Sequence, residues 1–119
     1  MKAELKWLES PDVDLNTFEP ERPDCFGFLL QAGIGPAGSN AADTFDLQVC
    51  TPAWLVDRHR NDGAPPFLFG TNLMIVFAYD LGVIRGALQH HCEGVTGANW
   101  DELAARLSRI AAWEFDGYR

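Results

Sequence analysis

The strongest constraint on the fold is a pair of segments in which apolar residues recur at every second position. They lie in Phe26–Ile34 and Asp43–Thr51, and residues 35–40 between them are rich in glycine and proline. Alternation with this period is typical of strands that bury one face, and glycine and proline favour a turn. The pair therefore predicts a long antiparallel β-hairpin.

Two further apolar patterns predict the rest of the sheet. Residues Lys2–Glu9 alternate, which predicts a half-buried strand with Ala3, Leu5 and Trp7 on one side. Residues Leu73–Tyr79 are apolar throughout and include β-branched and aromatic side chains. A continuous run of this kind favours a central strand that is covered on both faces.

Capping signals predict three helices. Thr51 can cap the first helix and Pro52 suits its first position, Asp80 can cap the second, and Asn99 with Glu102 forms a capping box for the third. The expected helices span about 52–60, 81–92 and 100–111. An apolar stripe along the third helix makes it the clearest of the three.

The order of these elements predicts an α+β fold. Three strands come before most of the helices, which argues for an antiparallel sheet of about four strands with two or three helices packed on one face. Residues Trp113–Phe115 are expected to return as a short extended tail. With 119 residues, of which 47% are hydrophobic, the chain suits one core and a single domain over residues 1–119.

The net charge separates the classes of partner. There are 17 acidic residues against 9 Lys and Arg, which gives a formal net charge of −8. Nucleic acid and anionic membranes would repel such a chain, whereas a basic protein is a compatible partner. Three cysteines without paired spacing and a charged N-terminus without an apolar signal core lead us to expect reduced thiols and a cytoplasmic location.

A long acidic stretch is the best candidate for a binding site. Residues 10–24 contain three prolines and follow neither hydrophobic period, so they predict a loop. The acids that oppose the single base Arg22 in and beside this loop are Glu9, Asp12, Asp14, Glu19, Glu21 and Asp24. Asp43 and Asp46, on or beside the exposed face of the hairpin, would extend the patch. Such a surface either attracts a basic partner or is merely solvated.

Residues for catalysis or metal binding are few. His90 and His91 are adjacent, so on a helix they point about 100° apart and do not converge on one ion. Cys50 has no neighbouring base to make it a thiolate. We therefore predict no catalytic residues, no metal and no cofactor. A small enzyme that uses His90, His91 or Cys50, and a structural or regulatory subunit that self-associates, stay as alternatives.

Several stretches resemble one known family. They are Phe26–Gln31, Ile34–Gly38, Phe45–Asp46, Val49–Leu55, Tyr79–Asp80, Trp100–Leu103, Leu107–Ile110 and Trp113–Phe115. In this order they resemble the immunity protein 8 family of bacterial polymorphic toxin systems. The resemblance implies a small α+β domain that neutralises a cognate toxin by binding it, with no catalytic residues of its own. Together with the acidity, it leads us to expect a basic, nuclease-type toxin as the partner.

Overall fold

The chain forms a mixed sheet flanked by helices in the computed structural model, which describes residues 1–61 and 63–116. The strands are β1 (Ala3–Glu9), β2 (Gly27–Pro36), β3 (Asp43–Cys50), β4 (Leu73–Ile75) and β5 (Ala112–Trp113), and the helices are α1 (Pro52–Asn61), α2 (Leu81–Glu93) and α3 (Trp100–Leu107). The sheet runs β1-β2-β3-β4, and β5 also pairs with β3. The α+β class is confirmed, with five strands in the described residues.

The predicted hairpin forms the centre of the sheet. Strands β2 and β3 pair in unbroken antiparallel register from Gly27 opposite Cys50 to Ile34 opposite Asp43. Between them Gly38 adopts a φ of 82°, a left-handed conformation that glycine reaches without strain. The alternate residues of both strands that face the helices are fully or almost fully buried; they include Phe28, Leu30, Phe45, Leu47 and Val49.

The first strand contains an irregularity that the alternation did not reveal. Leu5 pairs with Ile34, but Trp7 pairs with Gly33, so the register shifts between Leu5 and Trp7. The extra residue moves Trp7 to the opposite face of the sheet, where a Cβ on Gly33 would lie 2.1 Å from the indole ring. The prediction that Trp7 shares a face with Ala3 and Leu5 is therefore wrong.

Helices α2 and α3 cover the core face of the hairpin. Each contributes three buried residues to the core, namely Ile84, Leu88 and Cys92 from α2 and Leu103, Ala104 and Leu107 from α3. Asp80 and Asn99 cap them as predicted, since their side-chain oxygens accept hydrogen bonds from the backbone N–H groups of Val83 and Glu102. Helix α3 ends at Leu107, short of the expected Ala111. In the described part of the chain, no helix has both the length and the hydropathy to cross a bilayer.

The apolar run at Leu73–Tyr79 does not form a central strand. Only Leu73–Ile75 is extended, and it pairs in parallel with the end of β3, at Gln48–Cys50. No strand of the described residues pairs with its other edge, so Ile75 and Phe77 stay exposed. The prediction of a strand covered on both faces is wrong, because an apolar run fixes neither the number of neighbours nor their positions.

Candidate partner-binding surface

The acidic loop, defined as residues 10–24, is ordered without regular secondary structure. The Ser10 hydroxyl accepts a hydrogen bond from the backbone N–H of Asp12 at 3.1 Å. The carbonyl oxygen of Asp14 accepts from the N–H of Phe18 at 2.8 Å, and its carboxylate accepts from the N–H of Asn16 at 3.0 Å. These short-range bonds close a turn within the loop, so its backbone is held in shape before any partner arrives.

Two side chains anchor the acidic loop to the core. Leu15 is buried, and the Phe18 ring packs edge-on against Phe28 and Tyr79, with centroid separations of 5.4 Å and 4.9 Å. The Tyr79 hydroxyl donates a hydrogen bond to the carbonyl oxygen of Leu15 at 2.8 Å. Burial, helped by the charge of Asp14, raises the pKa of Tyr79, so the phenol stays a neutral donor.

The structure exposes all six acids predicted in and beside this loop, which are Glu9, Asp12, Asp14, Glu19, Glu21 and Asp24. One of them also has an internal role, because a carboxylate oxygen of Asp12 accepts a hydrogen bond from the backbone N–H of Leu29 at 2.8 Å. Leu29 lies in the part of β2 that β1 does not reach. Asp12 therefore fastens the start of the loop to an otherwise free strand edge.

Two of these acids line a small polar recess. It has a volume of about 260 Å³ and is bordered by Leu8, Glu9, Ser10, Val13, Asp14, Leu15 and Asn16. Sites for drug-sized ligands usually span about 300–1,000 Å³, so this recess is smaller than such a site. Two of the seven lining residues, Glu9 and Asp14, are acidic, and none is basic.

The two acids predicted on the hairpin lie in different surroundings. Asp46 pairs with Gln31, which in turn pairs with Glu9, so the three residues form one row across the sheet. The row spans two strand spacings, which is about 10 Å. Asp46 is half-buried, and one carboxylate oxygen has no hydrogen-bond partner among the described residues. The structure therefore places Asp46 in the same row as Glu9, at the border of the acidic loop.

Asp43 lies away from the acidic loop. It pairs with Ile34, five residues along β2 from the Leu29 that Asp12 binds, which is a distance of about 17 Å. Its carboxylate accepts hydrogen bonds from the indole N–H groups of Trp100 at 2.6 Å and Trp113 at 3.0 Å. Asp43 thus links β3 to α3 and β5, and one carboxylate oxygen is already used within the protein.

The side chains of the enzyme alternative do not form a reactive set. Cys50 is fully buried, and that burial raises the pKa of its thiol. Burial also raises the pKa of Cys92 to about 11. A protonated thiol is a poor nucleophile. His90 is exposed and His91 half-buried, and no group of three or more His, Cys, Asp or Glu that could hold a metal occurs in the described ranges.

Sequence reasoning missed an exposed apolar region. We define the apolar segment as residues 67–77. Its large side chains are exposed by 63% at Phe67, 64% at Leu68, 81% at Phe69, 49% at Ile75 and 78% at Phe77. The breakers on either side, Pro65-Pro66 and Gly70, were the available signal, since a stretch of three residues between them is too short for a buried strand.

Comparison with known proteins identifies one family. The family model described as immunity protein 8 matches residues 3–118, which is nearly the whole chain. No curated protein and no solved structure matches the chain significantly.

Proposed function

The chain belongs to the immunity protein 8 family, and from this membership we propose that it neutralises a cognate bacterial toxin in the cytoplasm by holding it in a stoichiometric complex. The family implies a toxin protein as the partner. We further propose that the toxin domain is basic and nuclease-like, and that the acidic loop is the part of this chain that meets it.

The observation that carries this proposal is the ordered, exposed acidic loop on a chain of net charge −8. A concentrated negative field speeds the encounter with a positively charged protein. Because hydrogen bonds and the Phe18 anchor already order the loop, little additional conformational entropy is lost on binding.

Each group has a distinct part in this mechanism. Glu9 and Asp14 would receive one Lys or Arg side chain of the toxin in the recess of about 260 Å³. Glu19, Glu21 and Asp24 would extend the negative field beyond it, and Asp46 would continue the row from Glu9. A nuclease binds phosphates through basic residues, so carboxylates that occupy those residues would compete with the nucleic acid. Asp12 and Asp43 would hold the loop and the sheet in place.

A pair of charge-matched variants tests this site. In one variant Glu19 and Glu21 are changed to Lys; in the control Glu93 and Asp116, which are exposed outside the loop, are changed to Lys. The probe is an inactivated toxin domain encoded beside this gene. We expect the loop variant to lower the association rate constant roughly 10-fold at low salt, with a smaller difference at high salt. Equal losses in both variants would show that only the net charge matters and that the loop is not the contact.

A further inference from the structure

The apolar segment leaves an unusual amount of apolar surface in water. Residues 63–79 contain no charged side chain, and five large apolar side chains between Phe67 and Phe77 are about half exposed or more. With roughly 200 Å² for a large side chain, these five together leave on the order of 700 Å² exposed. The largest single apolar patch on an ordinary monomer covers about 300–600 Å², so the segment as a whole exposes at least as much apolar surface as such a patch.

Two of the three phenylalanine rings of this segment contact each other outside the core. Phe67 and Phe69 meet edge-on with centroids 5.5 Å apart. Phe77 follows Val76, which is buried and whose N–H donates a hydrogen bond to the carbonyl oxygen of Cys50 at 2.9 Å. The backbone of the segment is therefore fixed to β3 next to Phe77, while the Phe77 ring stays outside.

The C-terminal end of the apolar segment lies near the anchor of the acidic loop. Tyr79 binds Leu15 through its hydroxyl at 2.8 Å and packs against Phe18. Phe77 is two residues before Tyr79, so their Cα atoms are at most about 7 Å apart. The backbone at Phe77 therefore lies close to the tyrosine that anchors the acidic loop.

The negative charge of the chain favours a basic protein over a second copy of the chain as the partner of the apolar segment. A second copy of the chain would bring its own acidic loop and a net charge of −8 against the first, which opposes association. A basic protein is attracted by the acidic loop. Interfaces are commonly held by a few aromatic side chains within a polar rim, and this chain exposes aromatic rings in the apolar segment and carboxylates on the loop that Tyr79 anchors.

We propose that Phe67, Phe69 and Phe77 are the anchor that holds the basic toxin after the acidic loop has attracted it, by entering an apolar recess on the toxin. This inference rests on the proposed function and assigns the stability of the complex to a second part of the surface. Aromatic anchors act mainly on dissociation, whereas exposed charges act mainly on association.

The test is a triple variant in which Phe67, Phe69 and Phe77 are changed to Ser, measured in the full chain against the inactivated neighbouring toxin domain. We expect the dissociation rate constant to rise at least 100-fold and the association rate constant to change less than about 3-fold. The control is Val83→Ser, which removes a side chain that is 58% exposed on α2, outside the segment. Its dissociation rate should stay within about 2-fold of the unchanged chain.

The outcomes separate the two proposals. Absence of binding by the unchanged chain would overturn the proposed function and the anchor together. Binding with a dissociation rate that the triple variant leaves unchanged would overturn the anchor alone. A dimer of the unchanged chain in light scattering that the triple variant converts to a monomer would show that a second copy occupies the segment, and would also overturn the anchor. An unchanged melting temperature of the variant shows that a changed rate reflects the interface.

Discussion

The acidic loop and the apolar segment are both largely irregular and exposed, but they are held to the protein in different ways. The loop is charged outside and anchored inside, by Phe18, Leu15 and the hydrogen bond from Tyr79. The segment holds apolar rings in water and attaches to the sheet through the short strand β4. We propose on this basis two separate tasks, in which the charged loop governs encounter with the toxin and the apolar segment governs retention.

Removal of the anchor of the loop should have the largest effect on stability. Phe18→Ala deletes a half-buried ring that contacts Phe26, Phe28 and Tyr79. We expect the free energy of unfolding to fall by about 2–3 kcal/mol, below the range for a fully buried phenylalanine. Denaturant unfolding followed by fluorescence measures this loss. A change below about 0.5 kcal/mol would mean that the loop is not anchored as described.

Replacement of Asp43, the acid that lies far from the acidic loop, should lower the free energy of unfolding somewhat less. Asp43→Ala would remove the carboxylate that accepts hydrogen bonds from the indole N–H groups of Trp100 and Trp113. Hydrogen bonds to a charged group contribute about 1.5–3 kcal/mol, so we expect a loss near 2 kcal/mol in the same unfolding assay. Asp43→Asn keeps an acceptor oxygen and should recover part of the loss. Glu19→Ala, in the exposed part of the loop, serves as the control and should be nearly neutral; equal losses would remove the distinction between the two acids.

The Tyr79 hydroxyl, which binds the acidic loop at Leu15, should contribute about 1 kcal/mol to the free energy of unfolding. Tyr79→Phe removes its hydrogen bond to Leu15, and a single neutral hydrogen bond contributes about 0.5–1.5 kcal/mol. The folded protein raises the pKa of Tyr79, so the phenol favours folding while it is neutral. This contribution is complete below the unfolded pKa near 10 and is lost as the pH rises through the higher folded value. In Tyr79→Phe the free energy of unfolding, measured against pH, should fall less above about pH 10 than in the unchanged chain. An identical fall in both proteins would contradict the contribution of the neutral Tyr79 phenol to stability.

The exposed rings should have the smallest effect on stability per side chain replaced. The triple change of Phe67, Phe69 and Phe77 to Ser removes side chains that are mostly in water already. Surface substitutions of this kind usually alter the free energy of unfolding by less than about 0.5 kcal/mol each. Thermal unfolding of the free chain measures the change. A loss of several kcal/mol would place the rings in the core and would break the comparison between the two regions.

Local signals in the sequence predicted the parts of the fold that local physics determines. The alternation in Phe26–Ile34 and Asp43–Thr51 predicted the hairpin, and Asn99 with Glu102 predicted the start of α3. In each case the decisive contacts lie within a few residues or within one hairpin. The acidity of residues 10–24 was likewise visible, because charge is a property of composition.

The predictions failed where contacts between residues distant in the sequence determine the structure. Trp7 changes face because the register of β1 against β2 shifts between Leu5 and Trp7, which no pattern within Lys2–Glu9 reveals. The run at Leu73–Tyr79 stays partly exposed because β4 pairs only with β3 in the described sheet. The separation of Asp43 from the acidic loop depends on the register of β2 with β3. The exposure of Ile75 and Phe77 was missed for the same reason, since it depends on the position of β4 at the edge of the sheet.

The most direct test of the account is amide hydrogen exchange of the chain alone and in complex with the inactivated toxin domain. The account predicts that complex formation slows exchange in both residues 10–24 and residues 67–77, while the exposed face of α2 around Val83 exchanges as before. A stable complex in which neither segment is protected, or in which protection appears only on α2 and α3, would contradict it.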